Sequence, residues 1–282
     1  MSRPRIFGIL NITEDSFSDG GRFLSPDHAI AQAQALVAAG ADVLDVGPAS
    51  SHPDAQYVPP EAEIDRLQAV WPELRALNCP ISLDSYHVET QRWALAQGVD
   101  WLNDVTGFPH PELYPELAES ACRLVVMHAV QSKGMDRHAA QSGQGRAQRI
   151  ETDANQMMAQ IKSFFDERLN ALSAAGIAKD RLVIDPGMGF FLGNQPDVSL
   201  RVLAQLDDLK STFGLPVLLS VSRKSFLRAQ SQRALEDIGP MSLAAELWAC
   251  QLGVDYIRTH EVDPLKDALD LYATLRQHRK AL

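Results

Sequence analysis

The chain is poor in cysteine, in aromatic residues and in positive charge, and each shortage excludes something. Cys79, Cys122 and Cys250 are its three cysteines, set far apart in 282 residues. A sparse, odd set fits neither a disulfide framework nor a metal knuckle, and it suits a reducing, cytoplasmic setting. The formal charge of -10 argues against a broad surface for nucleic acid or anionic membrane, since both require cationic excess. No apolar run reaches membrane-spanning length, and MSRPRIFGIL enters a strand with no signal-peptide pattern. No glycine-rich dinucleotide fingerprint follows any predicted strand. Spacing supports no Ser-His-Asp or Cys-His arrangement, so His52, His87, His110 and His128 each read first as structural. The tryptophans Trp71, Trp93, Trp101 and Trp248 fall in helices or beside strands and read as packing residues.

What is present is a repeated pattern. Short apolar runs at 5–10, 42–47, 80–85, 101–105, 123–128, 181–186, 216–222 and 256–260 predict strands buried on both faces. Helical periodicity lies between most of them, at 28–40, 59–77, 89–98, 154–176, 197–214 and 239–253. Gly40, Gly98, Gly176 and Gly253 close four of these helices before the next strand. Eight strands alternating with helices predict an α/β TIM-type (β/α)8 barrel, one domain over 1–282; a doubly wound open sheet is the alternative. Three long loops, 12–26, 47–60 and 129–150, would leave the same rim and act as lids.

Each of the eight predicted strands ends in a polar residue: Asn11, Asp45, Asp84, Asn103-Asp104, His128, Asp185, Lys224, and Arg258 with His260. In a barrel these ends share the catalytic face. Arg223, Lys224, Arg258 and His260 come from the last two strands, the sector that commonly binds phosphate. For Arg223 alone, a salt bridge to a nearby acid is an equal reading. Asp84, Asn103 and Asp185 would present acceptors and an amide to a flat heterocycle; a structural carboxylate–lysine network is the plain alternative. No His/Cys cluster stands at ligand spacing, but Mg²⁺ takes few protein ligands and could sit between Asn11 and a substrate diphosphate.

NITEDSFSDGG, SLDS, NDVTGF, VIDPGMGF, SVSRKSF and IRTHE, in this order, resemble dihydropteroate synthase over nearly the whole chain. The resemblance implies condensation of dihydropterin pyrophosphate with 4-aminobenzoate in folate synthesis, a TIM barrel, a homodimer and Mg²⁺. It assigns Asn11 to the Mg²⁺–diphosphate, and Arg258 and His260 to the phosphates. Asp84, Asn103, Asp185 and Lys224 would hold the pterin, with Met127 packed against it and Asp45 supporting the loops. Of these, Lys224, Asp185 and Asp84 would be catalytic. Ser51, His52, Pro53, Phe190, Phe191 and Ser225 would line the aminobenzoate side.

Departures from the family pattern gather on that last side. GPASSHPD replaces the usual second loop, so Ser51 stands for Thr and His52 for Arg; GFFLG replaces Gly-Phe-Gly-Lys; and Glu14 stands where Pro is usual. These same departures resemble the sulfonamide-insensitive Sul-type branch. A pterin-binding methyltransferase or a non-catalytic pterin-binding protein remain as alternatives.

Overall fold

A computed structural model describes residues 3–13, 25–52, 54–130, 151–231, 234 and 237–280. Pro53, Glu14 and most of the predicted loops 12–26 and 129–150 lie outside the described residues. Eight parallel strands follow one another around the sheet: β1 Arg5–Asn11, β2 Val43–Gly47, β3 Ile81–Asp84, β4 Trp101–Asp104, β5 Arg123–Met127, β6 Leu182–Asp185, β7 Leu218–Leu219 and β8 Tyr256–Thr259. β8 pairs with β1 as well as β7. Closure between β6 and β7 rests on a single bridge, Ile184 to Val217, and on the Ile184 N–H donating to Pro216 O at 3.0 Å. The barrel prediction holds. β7 is shorter than the predicted 216–222, with Ser220 and Ser222 beyond the ladder and on the cavity wall.

The strand period of two decides what the barrel contains. Phe7, Val43, Trp101, Val125, Val183, Leu218 and Tyr256 form a separate interior cluster, away from the larger core under the helices. Phe7, Trp101 and Tyr256 meet edge-to-face at 5.1 to 5.6 Å between centroids. Arg123 seals this plug from below: its guanidinium lies 4.5 Å over the Trp101 ring and donates to Tyr256 Oη at 3.0 Å. Two residues further along the strands, the same inward phase reaches Asp45, Asn103, Met127, Asp185, Ser220 and Arg258. The plug therefore fixes the depth at which polar chemistry begins.

The helices follow the predicted stretches with two corrections. The stretch 59–77 divides into α2 Pro60–Gln68 and α3 Trp71–Ala76, after α1 Pro26–Ala38. Pro72 supplies the reason: it lacks an N–H and its ring would collide with the carbonyl a turn earlier, so it opens a new helix. The stretch 197–214 divides at Gln205, for which nothing in the sequence gives a cause. Gly40, Gly98, Gly176 and Gly253 all adopt positive φ, as their predicted closing role requires. Three helices absent from the predicted set also form: Tyr114–Glu119, Ser225–Ser231 and Val262–Lys280. Trp71 packs edge-on against Trp93 at 5.1 Å, but Trp248 is 47% exposed, against its predicted packing role.

Candidate active site

At the carboxyl ends of the strands lies a cavity of about 490 Å³. Asn11, Ser51, His52, Asp84, Phe190, Phe191, Lys224, Ser225, Arg258 and His260 all line it. Asn103, Met127 and Asp185 are buried beneath it rather than on its wall.

Arg258 is the electrostatic centre. Its Nε donates to Asp45 and its Nη2 donates to Asp84 Oδ2 at 2.6 Å. Burial alone would lower its pKa, but Asp45 and Asp84 more than reverse that and hold the guanidinium charged. Burial pushes the Asp84 carboxyl up, against the pull of Arg258 and with help from Asp45. Burial likewise raises Asp185 to about 6, although the Gly187 N–H donates to its Oδ1 at 2.8 Å. Lys224 is pushed down to about 8 by burial first and then by Arg258, while Asp185 and Asp84 oppose both. Its Nζ lies 5.0 Å over the Phe191 ring.

Lys224 reaches this place by a backbone device. Arg223 adopts φ 58°, the left-handed region, and its N–H donates to Ser242 Oγ at 3.0 Å. Its guanidinium turns outward to Glu261 at 3.2 Å, so Arg223 takes the salt-bridge reading. The bend leaves Lys224 facing the cavity. The turn after β6 is equally constrained. A Cβ on Gly187 would lie 2.2 Å from His128 O, and φ there is 71°.

His260 is pushed down to about 3 by burial, then by Arg258, so it is a neutral imidazole, and its Nδ1 shares a 3.1 Å hydrogen bond with Ser222 Oγ. His128 falls to about 4 through burial, its Nδ1 meets Pro186 O at 3.2 Å, and it does not line the main cavity. The structural reading of His128 stands. His87 is buried with Nε2 at 3.2 Å from Val58 O.

The two adjacent phenylalanines differ in burial, although both line the cavity and belong to one apolar patch. Phe190 is half-buried and meets the His52 ring edge-on at 5.6 Å. Phe191 is buried and packs with Tyr86, Val105, Met127 and Ala129. Sequence reasoning missed Ser220, Ser222 and Arg228, which also line the cavity. It also missed Glu63, raised to about 7 by burial, whose Oε2 accepts from Ser85 Oγ at 2.6 Å beneath the second loop. Ser85 belongs to the quoted SLDS motif, but no local pattern names its distant partner.

Among the described residues no group of three His, Cys, Asp or Glu side chains could hold a metal ion. Among the described residues that line the cavity, Asn11 offers an amide oxygen at the rim. That fits a hard cation that keeps its waters and borrows phosphate oxygens, and no other kind.

An inward layer of carboxylates and an amide, a half-buried lysine, and an arginine and a histidine carried by β8 and the residue after it define a barrel enzyme with a mouth of mixed charge. The family model described as "Pterin binding enzyme" matches residues 7–260. The chain is 55% identical to dihydropteroate synthase type-2 of Escherichia coli, with 96% of each covered, and 49% identical to the type-1 synthase of the same organism, covering 97% of this chain and 95% of that one. Its fold is similar to Xanthomonas albilineans dihydropteroate synthase solved with 4-aminobenzoic acid: TM-score 0.84, 34% identity, 97% of this chain and 93% of that one covered. The chain belongs to the pterin binding enzymes, and within them to the dihydropteroate synthases, beside types 1 and 2 of the Sul-type branch.

Proposed function

We propose that this chain condenses dihydropterin pyrophosphate with 4-aminobenzoate, releasing pyrophosphate and giving dihydropteroate. The observation that carries the assignment is the inward layer Asp84, Asn103 and Asp185 over a closed apolar plug. Asn103 Oδ1 is buried without a hydrogen-bond partner, a costly state unless a ligand donates to it. A pterin supplies ring N–H and amino donors.

The substrate's methylene–oxygen bond breaks with its electron pair leaving on pyrophosphate. Arg258, Lys224 and the neutral His260 donate hydrogen bonds around the departing group and the ring. Mg²⁺ held by Asn11 would add neutralisation of the diphosphate charge. The pterin methylene becomes electron-deficient, and the positive charge spreads into the ring. Asp84 and Asp185 lie beneath that ring in a low-dielectric layer, where a fixed carboxylate favours developing positive charge most strongly. The aromatic amine of 4-aminobenzoate then forms the carbon–nitrogen bond and gives up a proton to solvent. No strong general base is needed, which fits the uncharged, structural His128.

On the arylamine side, Phe190 against His52, with Ser51 and Ser225, would form the slot. Phe191, in place of the usual Gly, thickens its wall, while Leu192, in place of the usual Lys, turns into the main core. Sulfonamides mimic 4-aminobenzoate but extend past its carboxylate, so a narrowed slot rejects them by steric clash. We therefore read the enzyme as sulfonamide-tolerant. It acts as a single-domain unit in the cytoplasm, where its three free thiols remain reduced. No described helix is long and apolar enough to cross a membrane. The homodimer that the family resemblance implies would cover the exposed Trp248, Leu271 and Leu275, which lie on two C-terminal helices that pack together.

Pyrophosphate release from the two substrates, with and without sulfamethoxazole, tests the reading. Turnover that persists with the drug is expected. Abolition by the drug would remove the tolerance, and no turnover would remove the synthase assignment. Lys224→Ala should lower the rate by roughly two orders of magnitude or more while the fold persists.

A further inference from the structure

Arg228 has no role in any motif above, yet it faces the cavity. It sits on the short helix Ser225–Ser231, three residues after Ser225, so both lie on one face of that helix, and both line the cavity. The same helix packs beside the turn that carries Phe190, because Gly189, Phe190, Ser225 and Ala229 share a smaller neighbouring hollow. Phe190 in turn meets His52. Arg228 therefore stands in the arylamine wall, whereas Arg258 and His260 enter from β8. Its guanidinium is exposed and has no hydrogen-bond or ion-pair partner among the described residues. Every other arginine or lysine on this cavity is engaged: Arg223 with Glu261, Arg258 with Asp45 and Asp84, and Lys224 over Phe191.

We propose that Arg228 is a specificity-determining residue that pairs with the carboxylate of the arylamine substrate. The inference rests on the synthase reading above. A guanidinium offers two parallel N–H donors to a planar carboxylate, a match that neither a neutral amide nor a sulfonyl group reproduces. The pair supplies a cation on this wall, where His52 now occupies the position usual for an arginine. It also gives a chemical reason, beside the steric one, for preferring the acid over its mimics. Ser225 then offers a hydroxyl donor on the same helix face.

The test compares 4-aminobenzoate with 4-aminobenzamide in wild type, Arg228→Gln and Arg228→Lys, following pyrophosphate release. In Arg228→Gln, KM for 4-aminobenzoate should rise about tenfold, the size of one charge-assisted pair at a part-open site. kcat and KM for the pterin substrate should hold, and the preference for acid over amide should collapse. Arg228→Lys should restore part of it. An unchanged acid-to-amide preference in Arg228→Gln would overturn the proposal. A rise in KM for the pterin diphosphate instead would also overturn it and place Arg228 with the leaving group. Loss of the synthase reading would show separately, as absence of turnover in the wild type.

Discussion

Replacing Arg258 with alanine tests the electrostatic centre most directly. Arg258 has 15% of its side chain exposed, Asp84 14% and Asp45 none, so the three charges share a nearly dry space. Removing one partner of such a group leaves uncompensated buried carboxylates, at a cost of about 3–5 kcal/mol. For a chain of this size that corresponds to a fall in Tm of about 10 °C. The pH dependence carries the sharper signature. Asp84 is already raised by burial, and the variant removes the neighbour that lowers it. An acid whose folded-state pKa lies above its unfolded value costs stability once pH exceeds the unfolded value. The Tm deficit relative to wild type should therefore be largest near pH 8 and shrink steadily toward about pH 5, as protonation neutralises the stranded group. Scanning calorimetry across that range measures it. Arg258→Ala combined with Asp45→Asn should recover part of the loss. A deficit that is small at pH 8, or that does not narrow on acidification, would refute the argument that this arginine holds two buried carboxylates.

The wild-type rate should itself follow pH. Asp185 at about 6 and Lys224 at about 8 predict a kcat/KM that rises as the carboxyl ionises and falls as the ammonium is lost; an Asp185→Asn enzyme that keeps the acid limb would remove Asp185 from that role. Phe191→Gly restores the residue usual in the family and should lower the sulfamethoxazole inhibition constant by roughly tenfold or more relative to KM for 4-aminobenzoate; an unchanged ratio would place tolerance elsewhere. Gly187→Ala must accommodate a Cβ 2.2 Å from His128 O at φ 71°, so thermal melting should fall by roughly 6 °C or more, from about 2–3 kcal/mol of strain. A melting point equal to wild type would mean that the turn shifts freely.

The polar strand ends were legible because strands impose a simple rule. A buried parallel strand is apolar along its length, so an ionisable residue at its end stands out, and eight such ends in order describe a barrel mouth. Asp84, Lys224, Arg258 and His260 were found this way, and all four line the cavity. The phase of the plug was legible too, but only in retrospect: Phe7, Trp101 and Tyr256 share the period of Asn103 and Arg258, yet nothing local says that they meet. Glu63 and Arg228 were not legible for a different reason. Each sits on a helix of ordinary amphipathic composition, where a charged residue reads as solvent-facing. Glu63 is buried only because α2 packs against the helix Val88–Ala96 and brings it to Ser85, just past β3. Arg228 faces a cavity only because its helix turns in after the left-handed Arg223. Contacts between distant segments decide both, and no spacing encodes them. The split of 59–77 at Pro72 was available from the sequence, since proline in the second position of a helix is a start signal; the longer apolar period concealed it.

The division between strands and loops also limits where selectivity can change. Asp84 and Asn103 stand on β3 and β4, in a register fixed by pairing on both sides, and Asp185 on β6, held by its ladder with β5 and a single bridge toward β7, with the plug below all three. Moving any of them by one residue would turn it out of the barrel, so the floor proposed for the pterin tolerates little substitution. The wall proposed for the arylamine has no such constraint. It is built from the second loop, the turn 189–193 and a seven-residue helix, none of which belongs to the ladder. His52, Phe191 and Arg228 can differ there without disturbing a single strand pair. A substrate with a conserved heterocycle and a second partner that a drug imitates is thus met by two walls of unequal freedom. Altered drug discrimination should accumulate on the loop-built wall, while the strand-end residues keep the chemistry.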